Sequence, residues 1–231
     1  MNALKKHLTW AWGIAAALLF AVASPALAAP GTIVGSKHDF TSGAGTYKGT
    51  NNANGQVCIY CHAPHNNTNA AGSLLWNRAA STAVYTPYSS PTMNASPAPS
   101  ATIGAISKVC LSCHDGTIAV DSYGTVTGTV KATGVALIGN DLSNDHPISF
   151  TYNTALATAD GALKDPSTAT VTIGTGGTNT GTIAAKMLFS GQMECASCHD
   201  VHNTTARTAV QDKLVVMTTA GSALCVSCHN K

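Results

Sequence analysis

Charge is scarce in this sequence. Only 10% of its 231 residues are charged, and 12 Lys and Arg nearly balance 10 Asp and Glu. No strong field of either sign is available to draw nucleic acid or an acidic partner. A basic nucleic-acid binder and a highly charged disordered tail are therefore excluded. Aromatic residues are also few, at 6%. Gly, Ser, Thr, Asn and Ala are abundant instead, which makes a loop-rich chain short of large core-forming side chains. Something other than an ordinary apolar core must hold it together. Long apolar runs are missing after the first 28 residues. What the chain has in unusual number is eight Cys and nine His.

The first residues read as an export signal. Lys5 and Lys6 give a positive start, Leu8 to Val22 is almost wholly apolar, and Ala26-Leu27-Ala28 is a small-x-small cleavage site. The run is too short and wrongly flanked for a membrane span. The expectation is a signal peptide over 1–28 and an exported chain over 29–231, with no membrane span in the mature chain. No Cys lies near the cleavage site for a lipid anchor.

All eight cysteines fall in C-x-x-C-H: Cys58-Ile-Tyr-Cys61-His62, Cys110-Leu-Ser-Cys113-His114, Cys195-Ala-Ser-Cys198-His199 and Cys225-Val-Ser-Cys228-His229. This spacing is that of c-type haem attachment. Two thiols add across the two vinyl groups, and the next His drops beneath the iron as proximal ligand. Zinc would use paired CxxC thiolates but does not need a His after each pair. Thioredoxin-like sites would not occur four times, and structural disulfides leave four His at one offset unexplained. Four covalently bound haem c groups are expected.

Besides the proximal His62, His114, His199 and His229, the exported chain has four more histidines: His38, His65, His146 and His202. Equal numbers of haems and spare His suggest bis-His ligation throughout. Met93, Met187, Met193 and Met217 share no repeated context and read mainly as packing residues, although Met is the other common sixth ligand.

Reach restricts two of these His. Metal–nitrogen bonds of about 2 Å plus two imidazoles put the Cα atoms of trans ligands roughly 12 Å apart. Three extended residues span at most about 10–11 Å, and in a helix the pair would be closer still. So His65, three residues after His62, cannot cap its own haem, and His202 after His199 cannot either. Each must serve a neighbouring haem, which places haems close together.

The chain contains an internal repeat. Cys58 to Thr68 and Cys195 to Thr205 both read C-x-x-C-H-x-x-H-N-x-T, each is followed by C-x-S-C-H, and each is preceded by an isolated His. Two dihaem modules are expected, at about 29–124 and 125–231. Within this scheme His65 would cap the haem of Cys110 and Cys113, and His202 that of Cys225 and Cys228. His38 and His146 would cap the first haem of each module. Alternatively, His146 caps a haem in the first module, and His38 then serves the preceding subunit. Ligation across such a head-to-tail contact would generate a filament.

Between motifs the sequence is loop-like. Ser89 to Ser100 reads as a linker, Gly174 to Gly181 as a turn, and Thr125 to Val130 and Ala169 to Ile173 as short strands. Short helices are the other candidates, at Ser73–Ala80, at each CxxCH and around Ala184–Leu188, but periodicity is weak and haem-wrapping coil is the favoured reading of these segments. Trp76, Phe40, Phe150, Phe189, Tyr60 and Tyr123 are expected to pack on haem.

Four CxxCH motifs, with CxxCHAPHN, CLSCHDGT and the DHPISF segment, resemble the doubled-CxxCH multihaem c-type cytochromes. More narrowly the sequence is similar to tetrahaem outer-surface cytochromes of metal-reducing bacteria that polymerise into conductive filaments. The resemblance implies a mostly coil fold with short helices and few short strands, wrapped around a chain of stacked haems. It also implies a haem row running through the polymer and one axial His donated across the subunit contact. The partners would be further copies of the chain, other electron-transfer cytochromes and extracellular acceptors. The expected function is electron conduction without a substrate site, hence no enzyme, at the outer surface or outside the cell. A monomeric periplasmic shuttle is the alternative. A reductase acting on nitrite, hydroxylamine or a metal ion would need a five-coordinate haem, often with an altered motif, and all four motifs here keep their His.

Overall fold

A computed structural model describes residues 33–34, 36–41, 47, 55–65, 75–95, 103–174, 179–202 and 213–230. The signal segment, the end of the Ser89–Ser100 linker and the first two residues of the Ser73–Ala80 helix lie outside these. The described chain is mostly coil, with a few short helices and two-residue to four-residue strands. Among the described residues no helix is long and apolar enough to cross a membrane.

The longest helix, α1 (Ala105–His114), carries the second CxxCH motif and buries Ser107, Leu111 and Ser112 on one side, the i, i+4 spacing of a single face. It stops at Asp115, and Gly116 follows at φ +77°, the left-handed conformation that favours glycine at a helix end. Helix α2 (Thr154–Asp160) is bounded by clear signals that the expected helices did not include. The Asn153 side chain accepts from Leu156 N, and Gly161 closes the helix at φ +72°. Helix α3 (Ile183–Lys186) starts where the Thr182 hydroxyl accepts from Ala185 N. The third motif forms α4 (Cys195–Cys198), and part of the fourth lies in α5 (Ala223–Val226). The first is a single 3-10 turn, Val57–Tyr60.

Strand β1 (Phe150–Thr151) pairs antiparallel with β4 (Gln192–Met193), Phe150 opposite Met193. Strand β2 (Thr170–Ile173) forms a hairpin with β3 (Asn179–Thr182), Thr170 opposite Thr182. The second strand of this hairpin thus begins inside the stretch that reads as turn. In two segments the coil reading holds over the strand or helix. Thr125–Val130 is not a strand: its end is tied down by the Asp121 carboxylate, which accepts from Val130 N, and by Val120 N donating to Val130 O. The described part of Ser73–Ala80 is not helical either, because Leu75 adopts φ +57° and its neighbours bond to residues 61–63.

That last contact recurs. Ala63 N donates to Leu75 O and Asn77 N to Cys61 O; in the second half Asp200 N donates to Leu214 O and Val216 N to Cys198 O. Leu75 and Leu214 both sit in the left-handed region, at φ +57° and +52°. The repeat read in the motifs therefore extends to the backbone that braces them. The buried apolar residues gather in three small clusters. The largest contains Phe150, Tyr152, Leu156, Val171, Ile183, Met187, Met193 and Val216. The others centre on Phe40, Tyr60 and Val120, and on Tyr85, Ile103, Leu111 and Leu142. Met187 and Met193 are core residues.

Candidate haem-binding site

All eight cysteines are free thiols, and their environments show which motifs are neighbours. Burial pushes the Cys61 thiol up to about 12; Arg78 opposes this rise, while Cys113 and Cys58 add to it. The neighbouring Cys195, together with burial, raises Cys110 well above its ordinary value, and Cys110 in turn lowers Cys195. Burial moves Cys198 to about 11, and Cys228, Cys195 and Cys225 add to the rise. The attachment cysteines thus adjoin in chain order: first motif with second, second with third, third with fourth. Helices α1 and α4 pack together at the middle contact.

The histidines meet in pairs. His62 and His202 have ring centroids 6.1 Å apart with planes 15° apart. His38 and His114 are 6.1 Å apart, and His146 and His229 6.4 Å. Two metal–nitrogen bonds of about 2 Å, plus about 1.2 Å from each ligating nitrogen to its ring centre, separate trans imidazole centroids by about 6.4 Å. Each pair is therefore spaced as two imidazoles that would hold one iron between them. Among the described residues no three His, Cys, Asp or Glu side chains converge as a closed zinc site would require.

The second ring nitrogen supports the same reading. His114 Nδ1 lies 2.7 Å from Ala136 O, His199 Nδ1 2.7 Å from Lys213 O, and His146 Nδ1 2.8 Å from Pro147 O. A carbonyl only accepts, so Nδ1 carries the proton and Nε2 keeps its lone pair for a metal. Burial, with His114, His199 and His202 nearby, lowers His38 to about 4, and among the described residues its buried Nδ1 has no hydrogen-bond partner. A neutral ring of this kind can ligate a metal. The residues present fit haem.

The ring pairs differ from those the repeat suggested. His202 faces His62 of the first motif rather than His229, His146 faces His229 rather than His199, and His38 faces His114 rather than His62. The reason is the Cys110–Cys195 contact, which turns the third motif back onto the first half so that its trailing His reaches across. His65 and His199 are exposed, and among the described residues neither has a ring opposite. The aromatics do flank the motifs: Phe40 meets Tyr60 edge-on at 5.6 Å, Tyr60 meets Tyr123 at 5.3 Å, and Trp76 meets His62 at 6.2 Å. Sequence reading missed Arg78 and Glu194, buried charges beside the attachment cysteines; a lone charge in a weakly periodic stretch gives no signal of burial.

Residues 188–231 match the family model described as a doubled CXXCH motif. The match covers the third and fourth motifs and supports a multihaem c-type cytochrome that binds haem covalently and transfers electrons. No curated protein matches the chain.

Proposed function

We propose that the chain is an exported tetrahaem cytochrome with bis-His axial ligands, working as an electron conduit rather than an enzyme. The carrying observation is the set of three His pairs spaced for an intervening iron. Cys58 and Cys61, Cys110 and Cys113, Cys195 and Cys198, and Cys225 and Cys228 hold the four groups. His62, His114, His199 and His229 are proximal ligands, opposed by His202, His38, a His discussed below and His146. Haem, when bound, supplies reversible one-electron exchange between ferrous and ferric iron. The residues do the rest. The backbone carbonyls at Ala136, Lys213 and Pro147 fix ring tautomers, the buried aromatics exclude water, and the adjoining cysteines hold neighbouring groups close enough for fast hopping along a row in chain order.

The fourth distal ligand is His65, donated by a second copy of the chain. This reading is supported by two facts: His199 has its Nδ1 committed to Lys213 O and no ring opposite, and His65 is exposed with none opposite it. It replaces His38 as the residue that links subunits, since the His38 ring faces His114. A head-to-tail contact of this kind does not close and yields a filament, carrying electrons towards extracellular acceptors. The test is a His65→Ala chain examined by sedimentation and electron paramagnetic resonance. Loss of filaments with one high-spin haem per chain is expected. Filaments of normal length would refute the assembly. A lone chain whose high-spin iron turns over nitrite or hydroxylamine would favour the reductase instead.

A further inference from the structure

Glu194 precedes Cys195 and is only 3% exposed. Its Oε2 accepts from Ser107 N at 3.2 Å, from Ser149 Oγ at 3.2 Å, and from Ser107 Oγ in a short bond. Both hydroxyls are themselves oriented by backbone donors: Gly104 N donates to Ser149 Oγ at 2.9 Å, and Cys195 N to Ser107 Oγ at 3.0 Å. With those N–H groups filling the hydroxyl lone pairs, each hydroxyl hydrogen is directed at Glu194. Three donors on one oxygen is an arrangement that suits an acceptor-only group, the ionised carboxylate. The backbone makes room for it. A Cβ on Gly104 would collide with the Glu194 carboxylate, so glycine there permits the close approach. Among the described residues no cation shares these bonds.

A buried anion without a cation is costly, and a fold keeps one where it has a use. Here it stands at the Cys110–Cys195 contact, where α1 of the second motif meets α4 of the third, and its field acts on Cys195. The other two adjacencies have cations. The Arg78 guanidinium acts on Cys61 and Cys113, between the first and second motifs. Lys164, whose Nζ donates to Val226 O at 2.6 Å, acts on Cys228 of the fourth.

We propose that Glu194 is a potential-setting residue. Its fixed negative charge disfavours the extra electron on the two central haems, so entry onto that central pair from an end haem is the uphill step of the row. This rests on the haem reading above. It moves no atom: one electron leaves a ferrous iron and reduces a ferric neighbour while the carboxylate stays ionised. A unit charge about 10 Å away at an effective dielectric of about 20 shifts an equilibrium by roughly tenfold.

The test is a redox titration of the haem-loaded chain, followed optically, beside its intact mass. Glu194→Gln keeps the shape and removes the charge. Its two central haems should titrate at higher potential, with about a tenfold larger ratio of reduced to oxidised haem at fixed potential, or about 59 mV. Glu194→Asp should stay near the parent chain. Equal shifts in both variants, or no shift in the Gln variant with all haems loaded, would overturn the proposal. Should the Gln variant not load haem, Ser107→Ala decides: removing a donor bares the charge and should lower the potential, and an unchanged or raised value refutes it. A parent chain whose mass carries no haem would instead overturn the haem reading itself.

Discussion

Replacing Arg78 with Met tests how a chain with so little apolar core holds its first two motifs together. Arg78 is 1% exposed. Its Nη1 donates to Tyr60 O at 3.1 Å and to Val120 O at 2.9 Å, and its Nη2 donates to Ala119 O in a short bond. One side chain thus joins the 3-10 turn of Cys58 and Cys61 to the segment that follows His114. Methionine fills much of the volume but donates nothing; Ala119 O keeps its bond from Ser122 N, while the buried carbonyls of Tyr60 and Val120 lose this partner. At about 1–3 kcal/mol for a buried group left unsatisfied, the total loss is about 3–5 kcal/mol. With a urea dependence of roughly 2 kcal/mol per molar, the unfolding midpoint should fall by about 2 M. Arg78→Lys, which keeps the charge but cannot span all three acceptors, should fall in between. The assay is urea unfolding of the haem-loaded chain followed by circular dichroism. A midpoint shift below about 0.5 M for Arg78→Met would refute the brace.

Other outcomes follow from the same geometry. His202→Ala should convert about one quarter of the haem from low-spin to high-spin, the fraction lost with one distal ligand of four, read by electron paramagnetic resonance. Imidazole added to that variant should restore the low-spin signal. Gly104→Ala forces a methyl into the Glu194 carboxylate and should lower stability by about 1–3 kcal/mol in urea unfolding. Leu75→Gly should not weaken the fold, whereas Leu75→Ile should lower stability by roughly 1 kcal/mol, because a β-branched side chain is strained at φ +57°. Asp165 is held below the usual carboxylate range by hydrogen bonds from Ser167 and Thr154. Its contribution is present above the ordinary value of about 3.9 and lost as pH falls through the lower folded value. Asp165→Ala should therefore flatten the acid limb of stability measured from pH 6 to pH 2.

Much of the site was legible because thioether attachment demands a fixed local spacing, so every cysteine and proximal His stood in a motif. The spare histidines could be listed but not paired. Pairing depends on which motifs adjoin, and that is decided by the Cys110–Cys195 contact and the Glu194–Ser107 bonds, which link residues almost 90 positions apart in sequence. The reach limit on His202 excluded its own haem but left several neighbours open; the repeat pointed to the fourth motif, whereas the ring lies beside His62. Likewise β2 showed in its β-branched alternation, and α2 could have been read from Asn153 and Gly161. Leu75 hid its conformation, because a leucine at positive φ leaves no mark in the sequence.

The central claim is that imidazole pairs bracket the irons of haems bolted to the CxxCH motifs. It is tested most directly by taking the intact mass of the purified chain together with its low-temperature electron paramagnetic resonance spectrum. The account predicts four covalent haem increments and at least three low-spin bis-His irons per chain, one for each ring pair. A chain with no haem increment, or a spectrum dominated by high-spin iron, would contradict it.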